Sequence, residues 1–174
     1  MMGSWGKFSG VVVAAIVAMA AIVCVSIYLF SPPTIPDKLL FHDLRGKNVA
    51  LRDHKGKIGT VVIFTATWCS YCKEEIKMAK PIYEDNAPRG IQFLMVFQDY
   101  DVGDIRRYAK ANSIPWPVVQ KTDYSMKVFR REGLGVPSAF FLTSDGRVVA
   151  NLTGKNSTRH YREAIDLLFE EHFK

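Results

Sequence analysis

The sequence predicts an α/β domain with one central mixed sheet and helices on both faces, preceded by a single transmembrane helix. Three observations carry that prediction. An uncharged run from Val11 to Phe30 lies near the start of the chain. Beyond it, β-branched and aromatic runs alternate with segments of helical period. The last part reads as two strands joined by a tight turn, then an amphipathic helix. Alternation of this kind places helices on both faces of a mixed sheet.

The first run, V-V-V-A-A-I-V-A-M-A-A-I-V-C-V-S-I-Y-L-F, contains neither charge nor proline. As a helix it spans about 30 Å, the thickness of a bilayer core. It is longer than the apolar core of a cleaved signal peptide, and no A-x-A-like site stands at its end, so residues 1–30 are expected to be a retained anchor. Cys24 raises the option of a lipid-bearing cysteine. Val23 precedes it where such a site needs a small residue, and the plainer reading is a small apolar side chain. Lys7 is the only charged residue before Ser31. It gives a positive-inside orientation, with the rest of the chain outside the cytoplasm, where disulfides persist.

Residues 31–37, S-P-P-T-I-P-D, read as a stiff extended linker, because the prolines forbid helix and favour polyproline geometry. The domain then occupies 38–174. Two short apolar stretches flank Arg45-Gly46-Lys47-Asn48, a hairpin signal. Thr60 to Phe64 reads as a buried central strand. Ser70 to Asn86 reads as a helix with Ile76, Ala79 and Tyr83 on one face. Ile91 to Phe97 is a second central strand. Val102 to Ala111 is a helix that Pro115 and Pro117 bring to an end. Val118-Val119 is a short strand and Tyr124 to Arg130 a short helix. Ser138 to Leu142 and Val148 to Leu152 are strands joined across Asp145-Gly146, a strong hairpin turn. Thr158 to Phe173 closes the chain, with Tyr161, Ala164, Ile165, Leu168 and Phe169 as its apolar stripe.

Composition narrows the function. Hydrophobic residues make up 48% and charged residues 23%, which excludes a disordered or collagen-like chain. The net charge of +6 comes with no long basic run, so no nucleic-acid partner is expected. Three cysteines are too few for a disulfide-built scaffold.

The chemistry concentrates at Trp68-Cys69-Ser70-Tyr71-Cys72, between a buried strand and a helix. A C-x-x-C at a helix start puts the first sulfur against unpaired N–H groups and the positive end of the helix dipole, which stabilise a thiolate. The second sulfur lies one turn in, within reach of a disulfide. Cys69 is therefore the expected nucleophile and Cys72 the resolving thiol. A zinc site needs four ligands, but no second C-x-x-C exists and the histidines stand apart at 42, 54, 160 and 172. A purely structural disulfide closing so short a loop would stabilise little. No metal is expected, and no cofactor beyond the redox-active Cys69–Cys72 disulfide.

The context T-V-V-I-F-T-A-T-W-C-S-Y-C-K-E-E resembles the active-site strand and helix of the thioredoxin superfamily. Gly135-Val136-Pro137-Ser138 and the hairpin after it resemble that family's cis-proline loop. The resemblance runs from about Pro36 to the C-terminus. The strand and helix from Ile91 to Ala111, with the N-terminal anchor, are similar to the membrane-tethered TlpA/ResA/CcmG-like branch. A thioredoxin-like fold is implied. So is a protein-disulfide reductase tethered to the bacterial cytoplasmic membrane and facing the periplasm or cell exterior. Protein thiols and disulfides would be its substrates, a membrane protein its electron donor, and cytochrome c maturation the commonest role.

The resemblance also implies residue roles. The Val136–Pro137 bond would be cis, with the Val136 backbone pairing with substrate, and Trp68 would pack beside the disulfide. Glu75 matches a buried glutamate that assists proton transfer at the cysteines. Its plainer reading is a solvated residue among Lys73, Glu74 and Lys77.

The departures are informative. Ile63 stands where thioredoxins carry a buried aspartate, Thr65 where tryptophan is usual, and Lys77 where relatives have a helix-kinking proline. The Ser70-Tyr71 dipeptide lacks proline and is similar to that of periplasmic disulfide isomerases. A disulfide oxidase or isomerase using the same residues, or a tethered copper chaperone, is therefore the alternative. A peroxiredoxin would need a P-x-x-x-T-x-x-C arrangement, which is absent.

Overall fold

The computed structural model describes residues 5–30, 32–130 and 135–174. Contacts divide the chain into two compact units, Met1–Pro32 and Pro33–Lys174. The first unit holds one helix, α1 (Trp5–Phe30). On it, Gly10 and the side chains of residues 12–26 are described, and all are exposed. Lys7 falls outside them, and Ser31 outside the described residues altogether. Among the described residues, no helix is long and apolar enough to cross a membrane.

The second unit is a seven-stranded sheet in the order β2-β1-β5-β4-β3-β6-β7. Its strands are β1 (Leu40–Asp43), β2 (Asn48–Ala50), β3 (Gly59–Thr65), β4 (Ile91–Phe97), β5 (Val118–Gln120), β6 (Ser138–Thr143) and β7 (Val148–Thr153). Its helices are α2 (Ser70–Asn86), α3 (Val102–Ala111), α4 (Asp123–Arg130) and α5 (Thr158–His172). Strands β3, β4 and β5 run parallel, while β6, β7, β1 and β2 add antiparallel neighbours on the two sides. The fold is thioredoxin-like.

Two cores lie on opposite faces of this sheet, which explains why β3 and β4 read as continuous apolar runs rather than alternating ones. Val61 and Ile63 of β3, Phe93 and Met95 of β4, and Phe141 of β6 face Ile76 and Ala79 of α2, Ile105 of α3, and Ile165 and Leu168 of α5. Val62, Phe64, Leu94, Val96 and Phe140 point the other way, onto Leu39, Phe41, Leu51 and Phe129 of α4. Phe64 meets Phe129 with ring centroids 4.7 Å apart, so β3 is clamped on both sides directly before the cysteine pair.

One feature departs from the sequence reading. Part of the expected linker is built into the domain. Ile35 is buried, its N–H donates to the Gly146 carbonyl at 2.8 Å, and Thr34 bridges Arg147. Ile35 is the one large apolar residue among those prolines, and burying it outweighs an extended, solvated path. Helix α2 spans the expected 70–86 and runs through Pro81, which has no N–H for the Lys77 carbonyl one turn earlier.

Candidate active site

The loop after β3 delivers Cys69 to the N-cap of α2. Its Sγ accepts the backbone N–H of Cys72 at 3.2 Å, in the place an N-cap oxygen usually takes. Cys69 and Cys72 are joined as a disulfide. Cys72 is fully buried, whereas Cys69 retains 9% exposure, so any attack from outside meets Cys69 first. The two sulfurs cluster with Ala66, and Val136 packs against them. The Val136–Pro137 bond is cis, and the chain runs from it directly into β6. Because β6 pairs with β3, the fold brings two segments distant in sequence to the same pair of sulfurs.

The turn before the cysteines is held from the end of the neighbouring strand β4. Both carboxylate oxygens of Asp99, just beyond β4, accept the Thr67 N–H, at 3.0 and 3.2 Å, and one of them also accepts the Thr67 hydroxyl. Gln120 of β5 in turn donates to the Asp99 and Tyr100 carbonyls, each at 2.8 Å. No motif in the sequence marks Asp99. Its one signal was an acidic residue at the C-terminal end of a buried parallel strand.

Glu75 lies one helical turn beyond Cys72 and is buried, not solvated among the lysines. Tyr161 of α5, wholly buried, donates its hydroxyl to Glu75 Oε1 at 2.6 Å. Oε2 is buried too and has no hydrogen-bond partner among the described residues. Burial pushes the Glu75 carboxyl up to about 7, against the opposing pull of the Tyr161 hydrogen bond. Glu75 also lines a cavity of about 200 Å³ with Tyr71, Glu74, Met78, Lys155 and Asn156. A carboxyl poised near neutrality one turn from a cysteine pair suits proton transfer.

Trp68 is 70% exposed. Rather than filling the core, it walls a groove of about 920 Å³ with Asp99, Tyr100, Lys121 and Met126. Tyr71, inside the cysteine motif, is 57% exposed. Ile63, in the thioredoxin aspartate position, is fully buried in the apolar core.

A buried strand, a cysteine pair capping a helix, and a cis-proline loop against the sulfurs define a thioredoxin-superfamily chain of the TlpA/ResA/CcmG-like kind. The chain belongs to the AhpC/TSA family, which it matches over residues 34–151. Thiol-disulfide oxidoreductase ResA of Bacillus thuringiensis (strain Al Hakam) is 28% identical over 116 residues, 66% of this chain and 65% of that protein. The alignment thus spans just under two thirds of that relative's length. A thiol:disulfide interchange protein of Chlorobium tepidum TLS superposes with a TM-score of 0.68 at 24% identity, covering 79% of this chain and 96% of that one. StoA from Bacillus subtilis gives 0.58 at 20% identity, covering 76% and 99%.

Proposed function

We propose that this chain is a protein thiol–disulfide oxidoreductase working in the reducing direction. The observation that carries the proposal is the Cys69–Cys72 disulfide at the N-terminus of α2, packed against Val136 of the cis-proline loop. The relative's name, thiol-disulfide oxidoreductase ResA, supports the exchange chemistry. In the reduced enzyme the Cys69 thiolate attacks a substrate disulfide. One substrate sulfur leaves as a thiolate and a mixed disulfide forms on Cys69. Glu75 takes the proton of Cys72, which attacks Cys69 Sγ and expels the second substrate sulfur. The substrate gains two electrons, its two thiolates are protonated by the proton Glu75 took and by one from solvent, and the enzyme is left with the Cys69–Cys72 disulfide. The pair itself is the redox centre, with no separate cofactor. Trp68 and the Val136–Pro137 backbone border the approach to Cys69 and bind the substrate chain.

The location is part of the same proposal. The uncharged run 11–30 anchors the chain in a bacterial cytoplasmic membrane, with Lys7 inside and residues 38–174 facing the periplasm or cell exterior. A membrane electron-donor protein then re-reduces the disulfide. Peroxide reduction fits less well, since Val62 and Ala66 occupy the proline and threonine places of the peroxidatic pattern. The exposed Tyr71 within the motif favours oxidase or isomerase chemistry as the second reading, because the dipeptide between the cysteines tunes their potential. Trapping with Cys72→Ser tests the main proposal. The variant should accumulate mixed disulfides through Cys69 that a Cys69→Ser/Cys72→Ser double variant does not form. No captured protein would sink exchange with protein substrates.

A further inference from the structure

Glu75 is surrounded from several elements, and their contributions differ. On α2 itself, Cys72 lies one turn before it, and Tyr71 and Glu74 line its cavity. From the loop ahead of α5, Lys155 and Asn156 line the same cavity, but Lys155 is paired with Glu74 at 3.4 Å, with both side chains largely exposed. Strand β4 presents apolar Ile91, Phe93, Met95 and Phe97 to the core that α2 shares. The turn after α2 brings Arg89 to its far end, where it bonds Asn86. Among the described residues, the one hydrogen bond to the Glu75 carboxyl comes from Tyr161 of α5. Nothing about the apolar stripe of α5 requires a hydroxyl at position 161. The Tyr161 ring packs edge-on against Phe141 at 5.3 Å, a contact phenylalanine would make equally well.

We infer that Tyr161 is a positioning residue for exchange. Its hydroxyl fixes the Glu75 carboxyl through Oε1 and leaves Oε2 as the oxygen that trades a proton with the cysteine pair. A buried phenol placed this way is a one-sided partner. Burial and the neighbouring carboxyl both raise its own proton affinity, so it stays neutral and always donates. It thereby favours the ionised carboxyl against the burial that opposes it. The inference rests on reading Glu75 as the proton acceptor for Cys72, so its test keeps the two claims apart.

The experiment uses the full chain in detergent micelles with ¹³C-labelled glutamate, the Glu75 carboxyl signal being assigned by its loss in Glu75→Gln. Three titrations are compared: the unsubstituted protein, Tyr161→Phe, and 3-fluorotyrosine placed at 161. Losing the donor should move the Glu75 midpoint up by about one pH unit. The fluorinated phenol, a stronger donor of nearly the same shape, should move it down. If Tyr161→Phe fails to fold, the fluorinated protein decides alone. Midpoints unmoved in every folded variant would overturn the inference. Exchange rate against pH is then read with a small disulfide substrate. The profile should follow the Glu75 midpoint, and Tyr161→Phe should leave it unchanged in a Glu75→Gln background. A rate profile indifferent to Glu75→Gln, with the midpoint still moving in Tyr161→Phe, would overturn the acceptor reading while leaving the Tyr161–Glu75 coupling intact.

Discussion

At the scale of single residues, Glu75 ties stability to chemistry. Its carboxyl is raised from 4.5 to about 7 in the folded protein, chiefly by burial. Between those values the native state holds the proton more tightly than the unfolded chain does. Stability should therefore be greatest below the lower value and fall as pH rises toward the upper one. The loss is at most about 3 kcal/mol across that window. Urea unfolding of the oxidised protein from pH 4 to 8 should show the decline, and Glu75→Gln should flatten it. A decline of the same size in the variant would assign it to other groups. Asp99 is a residue of a different kind. Asp99→Ala strips the Thr67 N–H of its acceptor just ahead of the cysteines. It should cost about 1–2 kcal/mol, the lower part of the usual range for hydrogen bonds to a charged group because Thr67 is only partly buried, read as a lowered urea midpoint.

At the scale of elements, the hairpin β6–β7 and the segment before β1 form one unit. Gly146 has φ +90°, and a Cβ there would lie 2.5 Å from the Ile35 carbonyl oxygen. Gly146→Ala should therefore both strain the turn and push Ile35 off the hairpin, lowering stability by about 2 kcal/mol. Hydrogen exchange should locate the damage at Ile35 and Val148, whose N–H groups bond across this junction. Protection unchanged at both would detach the segment from the hairpin's stability.

The same junction shows where the sequence was readable and where it was not. Helix 70–86, strand 91–97 and helix 102–111 follow directly from apolar period, because each buries a face or both faces against a layer. The cysteine pair and the cis-proline loop were legible as local motifs. Three features were not. Ile35 sits among prolines whose local preference points outward, and only the distant hairpin pulls it in. Asp99 acts on a turn 32 residues away, which no local pattern encodes. Tyr161 occupies a place in an apolar stripe where its ring satisfies the pattern and its hydroxyl goes unnoticed.

At the scale of the whole molecule, the proposed function combines an anchor, a redox domain and a direction of electron flow. The second unit carries its own two-sided core. Removing residues 1–32 should therefore leave a folded, water-soluble domain that keeps its exchange activity, while the full chain partitions with membranes. A full chain found wholly in the soluble fraction would remove the anchor from the account. The direction of flow is the central claim, and the reduction potential tests it most directly. Equilibrating the full chain in defined thiol–disulfide buffers and quantifying the Cys69–Cys72 disulfide gives the value. A reductase should lie near or below about −250 mV, on the thioredoxin side of the scale. A value between about −180 and −120 mV, the range of isomerases and oxidants, would contradict the account and make Ser70-Tyr71 the signature of a disulfide donor.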